Sequence, residues 1–398
     1  MDWPTGFLWG TGASSTQTEG AAPASDWWDW ERGGHAPISG DGNGFATRYV
    51  EDLRAVADLG LTHHRLSIEW ARIEPDEGHR DPEAIAHARA VLEAASAAGV
   101  TPWVCLHHFT LPRWFAQRGG FLTEANRTTY WRRHVEFMAE TFGDLVGGWK
   151  PVNETNYYAG AAYGGGWPPG HTDRDERALA AEQIHLATAE AAAVLRGTGA
   201  PVASVFGLSG EVPLDDDEAT AKVARSLRAV NWDAGIGLFR DGVLRIPGRA
   251  PVERPDLAGC YDLFGFSYYA TMGVAHGQVV RYPTDAPVSP LGYGIWAGGL
   301  GLVLDRLHEE LPGTPLLVDE YGVGTADDAE RVRYLEDGLR VVHDAIGRGV
   351  DVRGLFHWTA VDNYEWLHGF DVSFGLIDVE RRVRPSAAVL AREARPMG

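Results

Sequence analysis

The chain has 398 residues, of which 44% are hydrophobic and 23% are charged, a balance typical of a globular protein with a large core. Its 55 acidic residues exceed its 35 lysines and arginines and give a formal net charge of −20, which argues against nucleic acid or an anionic membrane as a partner. The only cysteines, Cys105 and Cys260, exclude a disulfide framework and a CxxC metal site. No apolar run approaches the ~20 residues of a membrane span, and no signal-peptide pattern is found, so we expect a cytoplasmic protein.

Eight apolar runs with strand character recur along the chain, and each is followed by a helical pattern. The runs begin at Phe7, His63, Thr101, Trp149, Pro201, Tyr261, Thr314 and Val352. The helical stretches 49–60, 84–99 and 130–143 each close on a glycine that can end a helix. Eight β-then-α units predict an α/β fold, a (β/α)8 TIM barrel formed by residues 1–398 as a single domain. A doubly wound sheet is the alternative, but it rarely needs so many units, and no GxGxxG turn follows an early strand.

Polar and aromatic residues gather where the predicted strands end. They are Gln17, Glu19, Arg65, Glu69, His107, His108, Asn153, Glu154, Tyr268, Glu320 and Trp358. A TIM barrel forms its active site at the C-terminal ends of its strands, and a purely structural barrel has no reason to collect so many polar groups on one rim. Aromatic rings beside polar groups also suit a ligand with apolar faces and hydroxyl edges.

Two carboxylates stand out, Glu154 after the fourth strand and Glu320 after the seventh. Glycosidic bond cleavage requires such a pair, because one group protonates the leaving oxygen while the other attacks the anomeric carbon or activates water. Carboxylates ~5 to 5.5 Å apart retain the configuration of the sugar, and carboxylates ~6.5 to 9.5 Å apart invert it. A cation such as Arg65 would keep one carboxylate ionised as the nucleophile and leave the other as the proton donor. The sequence leaves open which Glu lies beside Arg65.

Seven motifs occur in order along the chain, FLWGTGASSTQTEGA, HRLSIEWARIEP, LHHFTLPRWF, VNETN, FGFSYYA, VDEYG and FHWTAVDNYEWLHGFDVSFGLIDV. Together they resemble the family 1 glycoside hydrolases of the β-glucosidase type. The resemblance extends from about Phe7 to Ser386, nearly the whole chain. It implies a retaining exo-β-glycosidase in which Glu320 is the nucleophile, Glu154 is the acid/base and Asn153 anchors the sugar.

The resemblance also assigns the remaining groups of the site. It implies that Arg65 contacts the nucleophile by charge and Tyr268 by a hydrogen bond. The predicted sugar-binding residues are Gln17, His108, Trp358, Glu365 and Trp366. A carboxylate at position 365 would repel a phosphorylated sugar, so a small neutral β-glycoside is the expected substrate. Proton transfer and covalent catalysis supply the chemistry, so the mechanism implies no metal and no cofactor.

Several positions depart from the family pattern. The residues are Thr16 in place of Tyr, Thr155 in place of Pro, Ser267 in place of Asn, Tyr321 in place of Asn and Ser373 in place of Arg. Shorter loops after the fifth and sixth strands predict a wider or differently shaped site for the leaving group. The predicted activity is that of a β-glucosidase that tolerates galactose or fucose. The alternatives are a specialised glycosidase or transglycosylase for a bulky natural-product glycoside and, more distantly, an inactive sugar-binding barrel.

Overall fold

The computed structural model describes residues 1–395, and its centre is a barrel of eight parallel strands. The strands are β1 Leu8–Gly12, β2 His63–Ser67, β3 Thr101–Cys105, β4 Gly148–Lys150, β5 Phe206–Gly207, β6 Phe264–Tyr268, β7 Leu316–Tyr321 and β8 Val352–Trp358. Their order around the sheet is β4, β3, β2, β1, β8, β7, β6 and β5. A parallel bridge between Trp149 and Val202 joins β4 to the segment before β5 and closes the sheet. The predicted TIM barrel is confirmed.

Helices follow the strands and cover the barrel. They are α1 Ser15–Glu19, α2 Asp26–Arg32, α3 Phe45–Asp58, α4 Trp70–Ile73, α5 Pro82–Ala97, α6 Arg113–Gln117, α7 Arg132–Phe142, α8 Thr155–Ala162, α9 Arg174–Leu195, α10 Glu218–Arg228, α11 Ala234–Asp241, α12 Gly298–Glu310, α13 Asp328–Gly347 and α14 Ala387–Ala394. Gly60 and Gly99 follow α3 and α5 with φ of 83° and 80°, as expected of glycines that end helices. Gly143 does not, since its φ is −59°. Within residues 1–395, no helix combines the length and the apolar character needed to cross a membrane.

Short pieces of structure lie outside the barrel. Strands Glu211–Pro213, Thr271–Ala275 and Gln278–Tyr282 form a small sheet after β5 and β6, and Val243–Leu244 pairs with Val252–Glu253. Single turns of 3-10 or π-helix occupy Gly120–Leu122, Asn126–Trp131, Arg196–Thr198, Ala229–Asp233, Pro255–Leu257 and Trp366–His368. The small sheet lies where the chain leaves β5 and β6, and Met272 on its middle strand reaches the cavity described below.

Large apolar side chains fill the barrel interior. Successive side chains of a strand point to opposite faces, and the inward set forms one buried cluster: Trp103, Ala203, Leu263, Leu317 and Phe356, with Leu8 against it. Two glycines make room for the rings. A Cβ atom on Gly148 would lie 2.4 Å from the Trp103 ring, and one on Gly10 would lie 2.5 Å from the Phe356 ring. This cluster forms an apolar floor below the C-terminal ends of the strands.

Charged side chains form the next layer above the floor. Two residues further along their strands, the inward positions hold Arg65 on β2, Lys150 on β4 and Asp319 on β7, all fully buried. Lys150 lies directly on the floor, since its Nζ is 4.6 Å from the centre of the Trp103 ring. The barrel therefore changes within one layer from apolar packing to buried charge, and the functional site lies above that change.

We predict that Gly148→Ala destabilises the protein by about 1 to 3 kcal/mol, because the new methyl group overpacks the floor against Trp103. Gly347→Ala is the matched control, because no atom lies within 4 Å of the position that its new methyl group would take and its φ is not positive. That change should be neutral or stabilise by up to ~1 kcal/mol. Chemical denaturation of the three proteins checks this, and equal losses for both variants would contradict the packing argument.

Candidate active site

Arg65 lies at the centre of the polar rim. Its Nη1 donates to Glu320 Oε1, and its Nη2 donates to Asn153 Oδ1 and lies 3.2 Å from His108 Nδ1. Its Nε lies 3.7 Å from Asp319 Oδ2. A buried guanidinium needs hydrogen-bonding partners; those of Nη1 and Nη2 come from the ends of β3, β4 and β7, whereas Nε faces Asp319 without a hydrogen bond. The structure therefore answers the question that the sequence left open, since Arg65 is paired with Glu320.

Tyr269 contacts the other oxygen of the same carboxylate, where its hydroxyl donates to Glu320 Oε2 at 2.6 Å. The expectation that Tyr268 makes this bond was wrong. The Tyr268 hydroxyl instead donates to the carbonyl of Trp296 at 2.8 Å and lies 3.2 Å from Thr271 Oγ1. Tyr268 is fully buried between the barrel and the start of α12.

The alternation of β6 explains why the neighbouring tyrosine is the one that reaches the site. Tyr268 is in register with Tyr321 on β7, and the two rings stack 6.4 Å apart on the outer side of the sheet. Side chains one residue apart point to opposite faces, so Tyr269 points inward. Gly265 and Ser267 point inward, so alternation predicts that Tyr269 points inward as well. The sequence could have indicated this only if the register of the strand had been known.

Two consecutive carboxylates on β7 face the interior, which strict alternation would forbid. The pairing of β7 with β6 shifts between Val318 and Glu320, and its pairing with β8 is irregular over the same residues. Such irregularities redirect side chains and are frequent beside active sites. Here the shift brings Glu320 into the site directly after the inward Asp319, and both carboxylates lie within reach of Arg65.

Glu154 lies beyond the regular end of β4, at the N-terminus of α8. Its backbone has φ 43° and ψ 55°, a left-handed conformation that is rare for a residue with a side chain. Such conformations cluster at functional sites. The carboxyl group lies against the backbone of β5, since a Cβ on Gly207 would be 3.3 Å from Glu154 Cδ. The turn thus directs Glu154 into the cavity and not along the strand.

The two carboxyl groups differ in their electrostatic surroundings. Burial, and then the negative charge of Glu320, raise the pKa of Glu154 to about 8. Burial also raises the pKa of Glu320, but the contacts with Arg65 and Tyr269 oppose that rise. Direct pairing with a cation favours the ionised form. At neutral pH the arrangement therefore offers a protonated Glu154 beside an ionised, hydrogen-bonded Glu320.

A cavity of about 540 Å³ opens over these groups. It brings together both carboxyl groups, Asn153 and all the predicted sugar-binding residues, Gln17, His108, Trp358, Glu365 and Trp366. The cavity is also lined by aromatic residues that the sequence did not single out, Phe109, Tyr157, Trp167, Tyr269, Tyr293 and Phe374. Among the other strand-end residues, Glu19, Arg65, Glu69 and His107 do not line it. Tyr268 does not line it either.

The closed end of the cavity is aromatic, and its polar groups are held by hydrogen bonds. The His108 ring stacks on Trp358 and Trp366 at 5.6 and 6.0 Å with the planes nearly parallel. Trp358 Nε1 donates to Glu365 Oε1 at 3.3 Å, and burial raises the pKa of Glu365 to about 8. Gln17 is held by Ser14, which donates to its Oε1, and by its own bond to the Tyr364 carbonyl. Apolar ring faces alternate here with hydrogen-bonding groups, as a sugar requires.

Sequence comparison decides the family. The sequence model of Glycosyl hydrolase family 1 matches residues 1–396. The chain belongs to glycosyl hydrolase family 1. It is similar to thermostable beta-glucosidase B of Thermobispora bispora (30% identical, covering 99% of this chain and 90% of the relative) and to a beta-galactosidase of Saccharolobus solfataricus (28% identical, covering 97% and 94%).

Structure comparison agrees with this family 1 assignment. The beta-glycosidase from Pyrococcus horikoshii superposes with a TM-score of 0.90 at 30% identity, covering 99% of this chain and 95% of that one. The family membership confirms the prediction of an enzyme that hydrolyses glycosidic bonds, a retaining β-glycosidase. Two carboxyl groups in unlike surroundings at the mouth of a TIM barrel are what this chemistry needs.

Most departures from the family 1 pattern lie outside the cavity. The Thr155 side chain faces Thr188 on α9 at 3.1 Å, and its N–H donates to the Val205 carbonyl, so it does not touch the Glu154 carboxyl group through its side chain. Tyr321 packs on Tyr334 of α13. Thr16 donates to Glu69. The other two departures are Ser373 and Ser267. The Ser373 carbonyl accepts a hydrogen bond from Arg331, whereas Ser267 lines the cavity.

One cluster in the described part of this family 1 chain could share a metal ion. It consists of Asp215, Asp217 and His276, which lie near the surface and outside the cavity. His276 Nδ1 lies 3.4 Å from Asp215 Oδ2. The cluster therefore adds nothing to the chemistry of the two carboxyl groups.

We predict that Tyr269→Phe lowers kcat/KM about 10- to 100-fold, since a hydrogen bond to a charged group contributes about 1.5 to 3 kcal/mol. In the wild type this hydrogen bond lowers the pKa of Glu320. Its loss should therefore raise that pKa and move the acidic limb of the pH profile to higher pH. Tyr268→Phe is the matched control, and it should leave kcat/KM within about twofold and shift no limb. Measured pH profiles of kcat/KM with an aryl β-glycoside separate the two tyrosines, and exchanged effects would contradict this assignment.

Proposed function

We propose that this family 1 enzyme removes the terminal non-reducing β-linked sugar from small neutral glycosides, with Glu320 as nucleophile and Glu154 as acid/base. One observation carries the assignment of roles. Arg65 and Tyr269 both contact Glu320, whereas the pKa of Glu154 is raised to about 8 by burial and by the charge of Glu320. The group that must attack is thus kept ionised, and the group that must donate a proton keeps it.

The same coupling explains how Glu154 changes role during turnover. In the first step Glu320 attacks the anomeric carbon, and Glu154 protonates the leaving oxygen. The covalent intermediate removes the negative charge of Glu320, which is the second largest cause of the raised pKa of Glu154. The pKa of Glu154 then falls, and the carboxylate can take a proton from the attacking water. The second step releases the sugar in the β configuration.

The closed end of the cavity supports binding of one unmodified sugar. Gln17, Trp358 and Glu365 are buried there, and neither lysine nor arginine appears among the described residues that line the cavity. A phosphorylated sugar would bring two negative charges to a site that offers no cation in its wall. Repulsion by Glu365 is weaker than expected, because burial raises the pKa of that carboxyl group to about 8 and reduces its charge at neutral pH. The lack of a cation in the described lining therefore carries the argument against a phosphorylated sugar.

β-Glucose is the sugar we propose, with galactose and fucose tolerated. The similar proteins include one named a β-glucosidase and one named a β-galactosidase, so a change at the sugar C4 hydroxyl is accepted within the group. The side chains available to the hydroxyls here are Gln17, His108 and Glu365. Glu365 at a pKa of about 8 can donate as well as accept a hydrogen bond, which suits both orientations of a hydroxyl.

Chemical rescue tests the two roles. We predict that Glu320→Ala abolishes turnover and that azide restores it with formation of an α-glycosyl azide, because azide then enters from the face that Glu320 occupied. Glu154→Ala with a good leaving group should give the β-glycosyl azide, because azide then intercepts the covalent intermediate. NMR of the products reads the anomer, and opposite anomers would mean that the roles are exchanged.

The activity itself has a direct test. Wild-type protein should release nitrophenol from aryl β-glucosides and should form a covalent adduct on Glu320 with a 2-fluoro sugar, detected by peptide mass spectrometry. Failure of both reactions with gluco, galacto and fuco sugars would leave the inactive sugar-binding barrel as the surviving alternative.

An apolar outer cavity favours a second candidate within the same reaction class, a glycosidase or transglycosylase for a bulky natural-product glycoside. The outer lining includes Leu208, Met272, Leu291 and the exposed side chains Tyr157 and Leu367, which are 50% and 43% exposed. Apolar surface of this kind binds an apolar leaving group better than a second sugar. The same apolar surface favours transfer of the sugar to an organic acceptor over transfer to water.

We predict that glucosides with large aromatic aglycones exceed cellobiose in kcat/KM by about tenfold or more, since each buried apolar group contributes about 1.5 to 3 kcal/mol. Leu367→Ser should reduce that preference and leave the turnover of cellobiose nearly unchanged. A substrate panel with one sugar and varied aglycones measures the ratio. Cellobiose as the best substrate would contradict the specialised activity and leave the general β-glucosidase.

A further inference from the structure

Lys150 and Asp319 form an ion pair inside the barrel, directly below the reacting groups. Lys150 Nζ contacts Asp319 Oδ1, and neither side chain is exposed to solvent. The ammonium group lies 4.6 Å from the centre of the Trp103 ring and 5.3 Å from that of Phe356. Burying a lone ammonium here would be costly, since desolvation lowers the pKa of Lys150 while the charge of Asp319 opposes that fall. Each of the two charges therefore depends on the other.

Asp319 creates an electrostatic problem for the residue that follows it. The charge of Asp319 raises the pKa of Glu320, as burial does more strongly, while Arg65 lowers it. The same charge also contributes to the raised pKa of Glu154. Arg65 contacts both carboxylates of β7, with its Nε facing Asp319 and its Nη1 on Glu320. One guanidinium cannot neutralise two buried carboxylates, so a second cation is needed if Glu320 is to ionise.

We propose that Lys150 is a positioning residue that acts on Glu320 through Asp319 and Arg65. By neutralising Asp319, Lys150 keeps the guanidinium available to the carboxylate that attacks. Asp319 in turn faces Arg65 Nε, so that Nη1 points to Glu320 and Nη2 to Asn153. This inference rests on the proposed role of Glu320 as nucleophile.

The other groups that face Glu320 or the Lys150–Asp319 pair are the same in every variant suggested here. Arg65 of β2 and Tyr269 after β6 contact Glu320, and Glu154 after β4 and Glu365 after β8 feel its charge. Cys105 on β3 faces both Arg65 and Lys150. His63 on β2 feels the charge of Lys150, and burial lowers its pKa to about 4. None of these groups can replace the positive charge of Lys150.

A purely structural role makes a different prediction. Buried ion pairs contribute little net stability, and replacing both partners is often neutral, whereas removing one partner is strongly destabilising. A structural pair would therefore change the stability of the protein and leave the ionisation of Glu320 unaffected. A positioning pair changes the pH at which Glu320 ionises, which the acidic limb of the kcat/KM profile reports.

The test uses Lys150→Met and Lys150→Gln, the latter keeping a polar donor toward Asp319 without the charge. We expect the acidic limb to move to higher pH by about one unit in both variants, because an uncompensated Asp319 disfavours ionisation of Glu320. The double variant Lys150→Met with Asp319→Asn removes both charges and should return the limb to its wild-type position. An unmoved limb in the single variants, or the same displaced limb in the double variant, would overturn the proposal.

Arg381→Met is the matched control for loss of a buried cation. Arg381 pairs with Asp52 at 2.8 Å, with side chains only 5% and 4% exposed, on the α3 side of the barrel wall. This variant should lower the thermal midpoint and leave the acidic limb in place. If neither single variant at Lys150 folds, Asp319→Asn decides, since the limb should then move to lower pH, and an unmoved limb overturns the proposal.

The outcomes separate this inference from the proposed function. A wild-type protein that neither releases nitrophenol nor forms the 2-fluoro sugar adduct would remove the proposed function and this inference with it. An active wild-type protein whose acidic limb ignores the charge at position 150 would remove only the role of Lys150.

Discussion

A buried guanidinium is the constraint on which the site depends. Arg65 has no exposed surface, and a charge taken out of water must be paired and hydrogen-bonded to be tolerated. Its partners are Glu320 and Asp319 from β7, Asn153 after β4 and His108 after β3. These residues are remote in sequence, and only closure of the barrel brings them around one cation. The fold and the site are therefore stabilised by the same contacts.

The chemistry follows from an asymmetry that this cation imposes. Glu154 and Glu320 are both carboxyl groups removed from water, and both have raised pKa values. Only Glu320 is in contact with Arg65 and Tyr269, so the negative charge of the pair resides there and the proton resides on Glu154. Formation and hydrolysis of a covalent intermediate on Glu320 would remove and restore that charge. In the proposed mechanism the two identical functional groups thus take opposite roles, because Glu320 forms and loses the covalent bond while Glu154 gives a proton to the leaving oxygen and takes one from water.

The two ends of the cavity differ in chemical character. Buried aromatic rings and hydrogen-bonding groups at the closed end, among them Trp358 and Glu365, suit a single sugar ring. The outer end is apolar and partly exposed at Tyr157 and Leu367, and it suits a leaving group that is not a sugar. Departures such as Thr155 and Tyr321 point away from the cavity into the helix layer, so their side chains do not alter the lining around Glu154 and Glu320.

Local pattern was enough to predict much of this protein. The alternation of apolar strands and amphipathic helices is a property of short segments, and repeated eight times it identifies the barrel, since each β-then-α unit buries one face in a similar way. The polar ends of those strands, including Arg65, Glu154 and Glu320, are visible in the sequence because burial gives no reason for charge at those points. Their motifs then identify family 1, which the comparison over residues 1–396 established.

The tertiary structure decided what depends on register and on distances between strands. The choice of Tyr269 over Tyr268 follows from which face each side chain takes, and a shift of one residue exchanges the faces. The inward direction of both Asp319 and Glu320 follows from an irregularity in the pairing of β7. The partner of Arg65 and the pairing of Lys150 with Asp319 join different strands of the barrel. Sequence determines which groups a chain carries at its strand ends, but the electrostatic effect of one charge on another depends on their separation in space, which only the closed barrel sets.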